Sequence, residues 1–291
     1  MFIRFYIDVV AFSLVFSILF CVCCSFVDSL LGLWVFMELG GLSIVPVFFY
    51  IDGLSLYGFY SSLLSYIVMS SLSSVFIISG FLFYNLYYFV FWGFAVKFGL
   101  FPFMFWVYQV FNNSNWNFIF CLSIIMKFPI LFFCFLLQSD YLFIVYVDCF
   151  FTILTCSFLI WFFSCNWTNI WGHISLVSVA TLMVVCFCSD VWLCYFVYIY
   201  YFLWGTLCIV YFSVVDDYEE LNNYFWVFCF LLLVTPVSLP LFYKLSVCLC
   251  IVHSSFYLLF SWCLYSFSEQ FFLYKLASNI LYSEVFNDWF K

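Results

Sequence analysis

The chain has 291 residues, 69% of them hydrophobic and only 7% charged, with a formal net charge of −8. Soluble domains carry about 25% charged residues, so no water-facing surface can be built from this composition, and the pair of globular domains its length would allow is excluded. The acidic balance reflects a shortage of base, with six Lys and Arg in all, which also excludes a basic patch for nucleic acid.

Charges punctuate the chain instead of coating it. Asp8 to Asp28, Asp52 to Lys97, Asp148 to Asp190 and Glu220 to Lys244 bracket 19, 44, 41 and 23 uncharged residues. A membrane-crossing helix needs about 20 mostly apolar residues. A membrane β-barrel would show short segments of alternating polarity, and these runs do not alternate. The sequence therefore predicts an all-α polytopic membrane protein.

In chain order the spans fall at 7–27, 29–51, 56–81, 83–111, 115–138, 141–163, 168–188, 191–213, 222–252 and 255–277, about ten transmembrane helices. Polar punctuation separates them: Asp28-Ser29, Asp52-Gly53, Asn112 to Asn115, Gln138 to Asp140, Ser164 to Asn166, Ser189-Asp190 and the run from Asp216 to Glu220. The acidic run reads as a solvated loop. Residues 278–291 read as a polar-leaning tail suited to an interfacial helix. Residues 1–291 then form a single transmembrane domain, with its core over 29–252 and its last helix and tail over 255–291.

The sixteen cysteines lie inside apolar runs, as at Cys21, Cys23 and Cys24, where the thiol acts as a small hydrophobe. No Cys/His spacing of the zinc type appears, so no metal site is expected. The 48 phenylalanines exceed what lipid demands, since Leu would serve equally, and suggest the codon bias of a T-rich organellar genome. Arg4 with Asp8 makes a poor transit peptide. The expectation is an organelle-encoded, multi-pass protein of the mitochondrial inner membrane.

An ionisable group in the middle of a span costs at least about 2.5–3.5 kcal/mol and marks a functional site by default. Four stand out. Glu38 is the tenth residue of 29–51, Lys97 the fifteenth of 83–111 and Lys127 the thirteenth of 115–138, while Lys244 lies well inside 222–252. Lys275 is nearer a helix end and can snorkel. All five prolines stand within eight residues of a candidate: Pro46 after Glu38, Pro102 after Lys97, Pro129 after Lys127, and Pro236 and Pro240 before Lys244. Each removes a backbone donor and disturbs the bond to residue i−4, so kinked or broken helices are expected beside the charges. The long segments 83–111 and 222–252 are the two expected to be discontinuous, an arrangement found at ion-transport sites. The chemistry of such a set is proton relay: burial disfavours the charged form of either group, a nearby carboxylate restores it for lysine, and the groups titrate together.

These residues carry a resemblance. The stretch WVFMELGGLSIVPVFFY (34–50) resembles the glutamate-bearing helix of the antiporter-like subunits of respiratory complex I. VKFGLFPFMFWVYQV (96–110) is similar to their broken helix KLG-x-x-PFHFW-x-P-[ED]-V, IIMKFPILF (124–132) to the next lysine helix, and LLLVTPVSLPLFYKLSVCLCIV (231–252) to the second broken helix. The resemblance covers about residues 30–255. It is strongest to the chain 2 branch, because chain 4 carries glutamate where Lys244 stands and chain 5 carries histidine where Lys127 stands. Met104 replaces the usual His, and Tyr108-Gln109 the Pro-acid pair. The stretch 166–180 follows its family counterpart loosely; His173 falls early in that span and reads as structural. Relatives have further helices before Glu38 and after Lys244, so a shortened mitochondrial form is implied.

The resemblance implies an antiporter-like bundle in which Glu38, Lys97, Lys127 and Lys244 relay protons. It implies a subunit of a proton-translocating NADH:ubiquinone reductase that does no redox chemistry itself and binds no cofactor. NADH, FMN, iron–sulfur clusters and ubiquinone would sit elsewhere in the complex. The implied partners are other membrane-arm subunits, with supernumerary subunits and lipids beside them. Haem would need several membrane histidines, and the chain has two; no Gly-rich nucleotide fingerprint occurs. Two alternatives remain at this point: a cation/proton antiporter subunit outside complex I, and a structural membrane-arm scaffold whose relay has decayed.

Overall fold

Helices start and stop where the polar punctuation falls. A computed structural model describes residues 2–49, 56–83, 88–137, 142–218 and 225–289, and no strand occurs among them. Loop residues Asp52, Gly53, Gln138, Ser139 and Asp140, and Glu219 and Glu220 of the acidic run, lie outside the described residues. The first helices are α1 (Phe2–Cys23), α2 (Leu30–Ile44) and α3 (Leu56–Leu82). Ser29 caps α2 by accepting from the Gly32 amide at 3.2 Å, which satisfies one free donor of its first turn. A single segment then splits into α4 (Tyr88–Phe98) and α5 (Phe105–Asn112). The next splits into α6 (Trp116–Ser123) and α7 (Phe128–Leu137).

Three uninterrupted helices follow, α8 (Leu142–Phe163), α9 (Trp167–Cys188) and α10 (Val191–Tyr218). The last segments are the pair α11 (Phe225–Leu232) and α12 (Leu239–Ile251), then α13 (Phe256–Trp289). Among the described residues, seven stretches are long and apolar enough to cross a membrane; α4 and α12 are shorter apolar helices. The two discontinuous segments read from the sequence are thus present, and the segment 115–138 adds a third interruption. The expected tail does not separate from the last helix: α13 continues to Trp289, because no Gly or Pro lies between 256 and 289 to stop it.

At the centre lies α9, almost wholly buried from Ile170 to Cys186. It packs against α5, α7, α8, α10 and α12. Apolar side chains gain little from leaving lipid for one another, so close fit and satisfied polar groups must hold the helices. A Cβ at Gly93 would fall 2.5 Å from Ile77 Cγ1 and 2.8 Å from the Ser73 carbonyl, so glycine is what lets α4 lie against α3. The serines of α3 return their hydroxyls to their own helix, as Ser62 to Phe59 O at 2.8 Å and Ser73 to Ser70 O at 2.7 Å. Such back-bonding keeps a hydroxyl satisfied in an apolar surround. Outward faces carry large apolar side chains, among them Phe12, Leu64, Phe162 and Trp226.

Candidate functional site

Lys97 and Lys127 stand where their helices are interrupted, and Lys244 lies in the helix that follows a break. α4 ends in a Schellman turn: Gly99, at φ +70°, lets the Leu100 amide bond Ala95 O at 2.9 Å and its own amide bond Val96 O at 3.3 Å. Lys97 therefore lies in the last turn, where carbonyl dipoles favour a cation. Its Nζ donates to Glu38 Oε1 of α2 at 2.5 Å, with side chains 8% and 23% exposed. Pro102 occupies the break between α4 and α5, and Trp106 Nε1 caps the Val96 carbonyl at 3.0 Å. Pro46 lies in the 3-10 turn Val45–Phe49 that ends α2.

Lys127 closes a 3-10 turn, Ile125–Lys127, between α6 and α7. Pro129, second in α7, opposes an α-helical bond to the carbonyl of residue 125. Neighbours take the carbonyls freed there: Tyr201 OH donates to Ser123 O at 3.2 Å, Tyr198 OH to Ile124 O at 3.3 Å and Cys21 Sγ to Ile125 O at 3.5 Å. Lys127 Nζ itself donates to Ser175 O at 2.7 Å, Ser178 Oγ at 2.5 Å and Tyr201 OH at 2.7 Å. The hydroxyl protons of Tyr201 and Ser178 are already given to Ser123 O and Ser175 O, so both oxygens turn lone pairs to Nζ. Three acceptors meeting three N–H groups describe a berth for an ammonium ion without a carboxylate.

Lys244, in α12, lies 2.9 Å from Glu269 Oε2 of α13, with side chains 14% and 4% exposed. The pair is close without being aligned as a hydrogen bond. Pro236 is in the break between α11 and α12, and Pro240 stands in the first turn of α12. Gln270 repairs that break. Its Oε1 accepts from the Val234 amide at 2.8 Å and its Nε2 donates to Leu232 O at 3.3 Å, while Tyr274 OH donates to Val234 O at 3.1 Å. Irregular backbone at membrane depth requires such partners.

Two cavities join the three lysines. The first, about 40 Å³, is lined by Tyr66, Ser70, Lys97, Ser123, Lys127 and Ser175 together with apolar walls. The second, about 20 Å³, is lined by Ser178, Thr181, Tyr243, Lys244, Tyr265 and Glu269. A water needs roughly 10–15 Å³ and at least two polar partners, and both cavities meet that. Ser178 bonds Lys127 on one side and lines the second cavity on the other. The file thus reads Glu38–Lys97, cavity, Lys127–Ser178, cavity, Lys244–Glu269.

All four residues singled out in the sequence lie on this file. Glu269 is a further member not among the four expected, although it is the fifteenth residue of the predicted span 255–277 and meets the same criterion. Asp148 is a second such residue, 5% exposed in α8, whose Oδ2 has no partner among the described residues. His173 is fully buried, with Nδ1 2.6 Å from Tyr108 OH and Nε2 without a partner among the described residues. All sixteen cysteines are free.

Fold and site together define a class: a polytopic helical membrane protein with buried lysines, two of them ion-paired, on or beside interrupted helices. No protein-family model and no curated protein matches the sequence. Among solved structures the chain is similar to a chain of respiratory complex I from Thermus thermophilus with bound aureothin, at a TM-score of 0.68 and 15% identity over 84% of this chain. It spans 64% of the length of that chain, and the likeness is one of fold.

Proposed function

We propose that this chain is a proton-translocating, antiporter-like subunit of the membrane arm of respiratory complex I, of the chain 2 type and resident in the mitochondrial inner membrane. Electron transfer from NADH to ubiquinone belongs to other subunits, and this chain carries protons through Glu38, Lys97, Lys127 and Lys244. The observation that supports the reading best is the continuity of the file through Lys127. Separating Glu38 from Lys97 leaves a buried ammonium without its counter-ion, which favours giving up a proton to water in the first cavity. Lys127 offers the next berth, and Ser178 passes the proton toward Lys244. Each transfer converts one ammonium to amine and the next amine to ammonium, so charge moves along the file without a redox step.

Two measurements test this. Native-gel separation of solubilised membranes, stained for NADH oxidation, should place the chain in the large NADH-oxidising band. Migration apart from every flavin-containing subunit would favour an antiporter outside complex I. In the assembled complex, Lys127→Ala should abolish this chain's proton translocation and leave assembly intact. An unchanged proton-to-electron ratio would favour a scaffold.

A further inference from the structure

Between α8 and the start of α13 lies another cavity, which the lysine file does not use. The two helices run side by side in the same direction. Trp161 meets Phe272 edge to face, with ring centroids 6.1 Å apart. Toward their N-terminal ends the helices part around a groove of about 340 Å³. Phe143, Val147, Phe150 and Phe151 line it from α8, and Tyr257 and Leu258 from α13. Its volume lies within the range of small-molecule sites, roughly 300–1,000 Å³.

Depth, polarity and width identify what fills it. Residues 143–163 form one of the membrane spans, and Phe143 to Phe151 rise about 12 Å along it. One leaflet of hydrocarbon is about 15 Å deep, half of a core of about 30 Å. The groove therefore begins where both helices enter the membrane and ends within the same leaflet. Its hydroxyls are those of Tyr146, Ser255 and Tyr257. Two of them are engaged already: Tyr146 OH is 2.7 Å from Cys188 Sγ, and Ser255 Oγ accepts from the Leu258 amide at 3.4 Å. A water needs at least two polar partners, and the aromatic and aliphatic length of the groove supplies none. A helix with its side chains is about 10–12 Å across, so 12 Å of it occupies roughly 900 Å³. A neighbouring helix would lie over the groove and leave it empty, and an empty groove forfeits the dispersion contacts of its lining. A flexible hydrocarbon chain fits.

From these limits together we infer that the groove is a binding site for one acyl chain of a membrane phospholipid. Its ester end lies at Ser255 and Tyr257, and its methyl end points toward Phe150 and Phe151. The exposed His253, in the turn 252–255 that precedes α13, puts a polar side chain at headgroup level beside the ester end. Seated there, the chain completes the packing of α13 on α8 at the end where the protein leaves it incomplete. The inference needs only a membrane-spanning bundle and does not depend on the proton relay.

The test uses membrane vesicles holding the native assembly, doped with phosphatidylcholines that carry a photoactivatable diazirine at the start, middle or end of one acyl chain. Labelled residues are mapped by mass spectrometry. Residues 143–151 and 255–258 should be labelled about tenfold more densely than exposed residues elsewhere, a ratio equal to about 1.4 kcal/mol of preference. Leu64, Val75, Phe196 and Leu203 serve as the exposed comparison. Start-labelled chains should mark Ser255, Tyr257 and Phe143, and end-labelled chains Phe150 and Phe151. Val147→Trp fills the groove from its rim and should remove the excess there without changing the label elsewhere. Even labelling of every exposed face would mean ordinary bilayer contact and overturn the site, as would an excess that persists in Val147→Trp. A groove that takes no lipid label at all would be covered by a protein partner, which also overturns it. Where Val147→Trp fails to assemble, the wild-type depth order decides: labelling that ignores the position of the diazirine sinks the inference.

Discussion

Lys127 differs from the other two lysines of the file in having no acid beside it among the described residues. Its charge is held by one carbonyl and two hydroxyl oxygens, with the Tyr201 ring 4.4 Å from Nζ adding its π face. A hydrogen bond to a charged group contributes about 1.5–3 kcal/mol. Tyr201→Phe keeps the ring and removes one acceptor, so the relay should slow by roughly tenfold, by that magnitude. Ser178→Ala removes an acceptor and the contact with the second cavity, and should slow it further. Proton-translocation rates in the two variants, with electron transfer as the internal standard, check the order; a faster Ser178→Ala would place the path elsewhere. The criterion that singles out Glu38, Lys97, Lys127 and Lys244 is an ionisable group at mid-span, and it is legible because the membrane penalises charge by position. Glu269 meets it equally, but its neighbours Ser266, Ser268 and Gln270 make the segment look like a helix end. What no pattern in one sequence can supply is the pairing: that Lys244 takes its acid from α13, and that Tyr108 meets His173 sixty-five residues away.

At the scale of elements, the breaks near the lysines persist because other helices repair them. Gln270 of α13 spans the gap between α11 and α12, bonding the Val234 amide and the Leu232 carbonyl. Gln270→Leu keeps the volume and strands both groups, at about 1–3 kcal/mol each. The variant should melt at lower temperature in detergent and become cleavable near 233–238 first. Wild-type melting would show that water does this work instead. In Gly99→Ala the penalty is local: a methyl at φ +70° would lie 2.4 Å from Val107 Cγ2, so the turn that positions Lys97 should deform and loosen its pair with Glu38. The positions of the breaks are legible from the prolines, since Pro102, Pro129 and Pro236 each stand in or just past one. The third interruption, at 124–127, is less visible because α6 and α7 are both apolar and together have the length of one span. The extent of α13 is not legible, because polar residues after 277 read as a tail although nothing in them stops a helix.

Over the whole molecule, the file crosses the bundle laterally from α2 to α13, and its two ends are not equivalent. The Glu38 side chain is 23% exposed whereas that of Glu269 is 4% exposed. An ion pair open at one edge can be reached, and therefore influenced, by whatever chain or lipid lies beside α2; one enclosed on all sides can exchange protons only through the interior. This asymmetry predicts the order of reaction with an apolar carbodiimide, which modifies carboxyl groups from within the bilayer. Glu38 should be modified first and Glu269 should be spared, with the buried Asp148 (5% exposed) as a second protected site. Peptide mapping by mass spectrometry after graded exposure checks this. Protection of Glu38 in the assembled membrane, followed by modification once the chain is dispersed in detergent, would place a neighbouring subunit against α2. Labelling of Glu269 before Glu38 in both states would reverse the two ends and sink the lateral arrangement of the file.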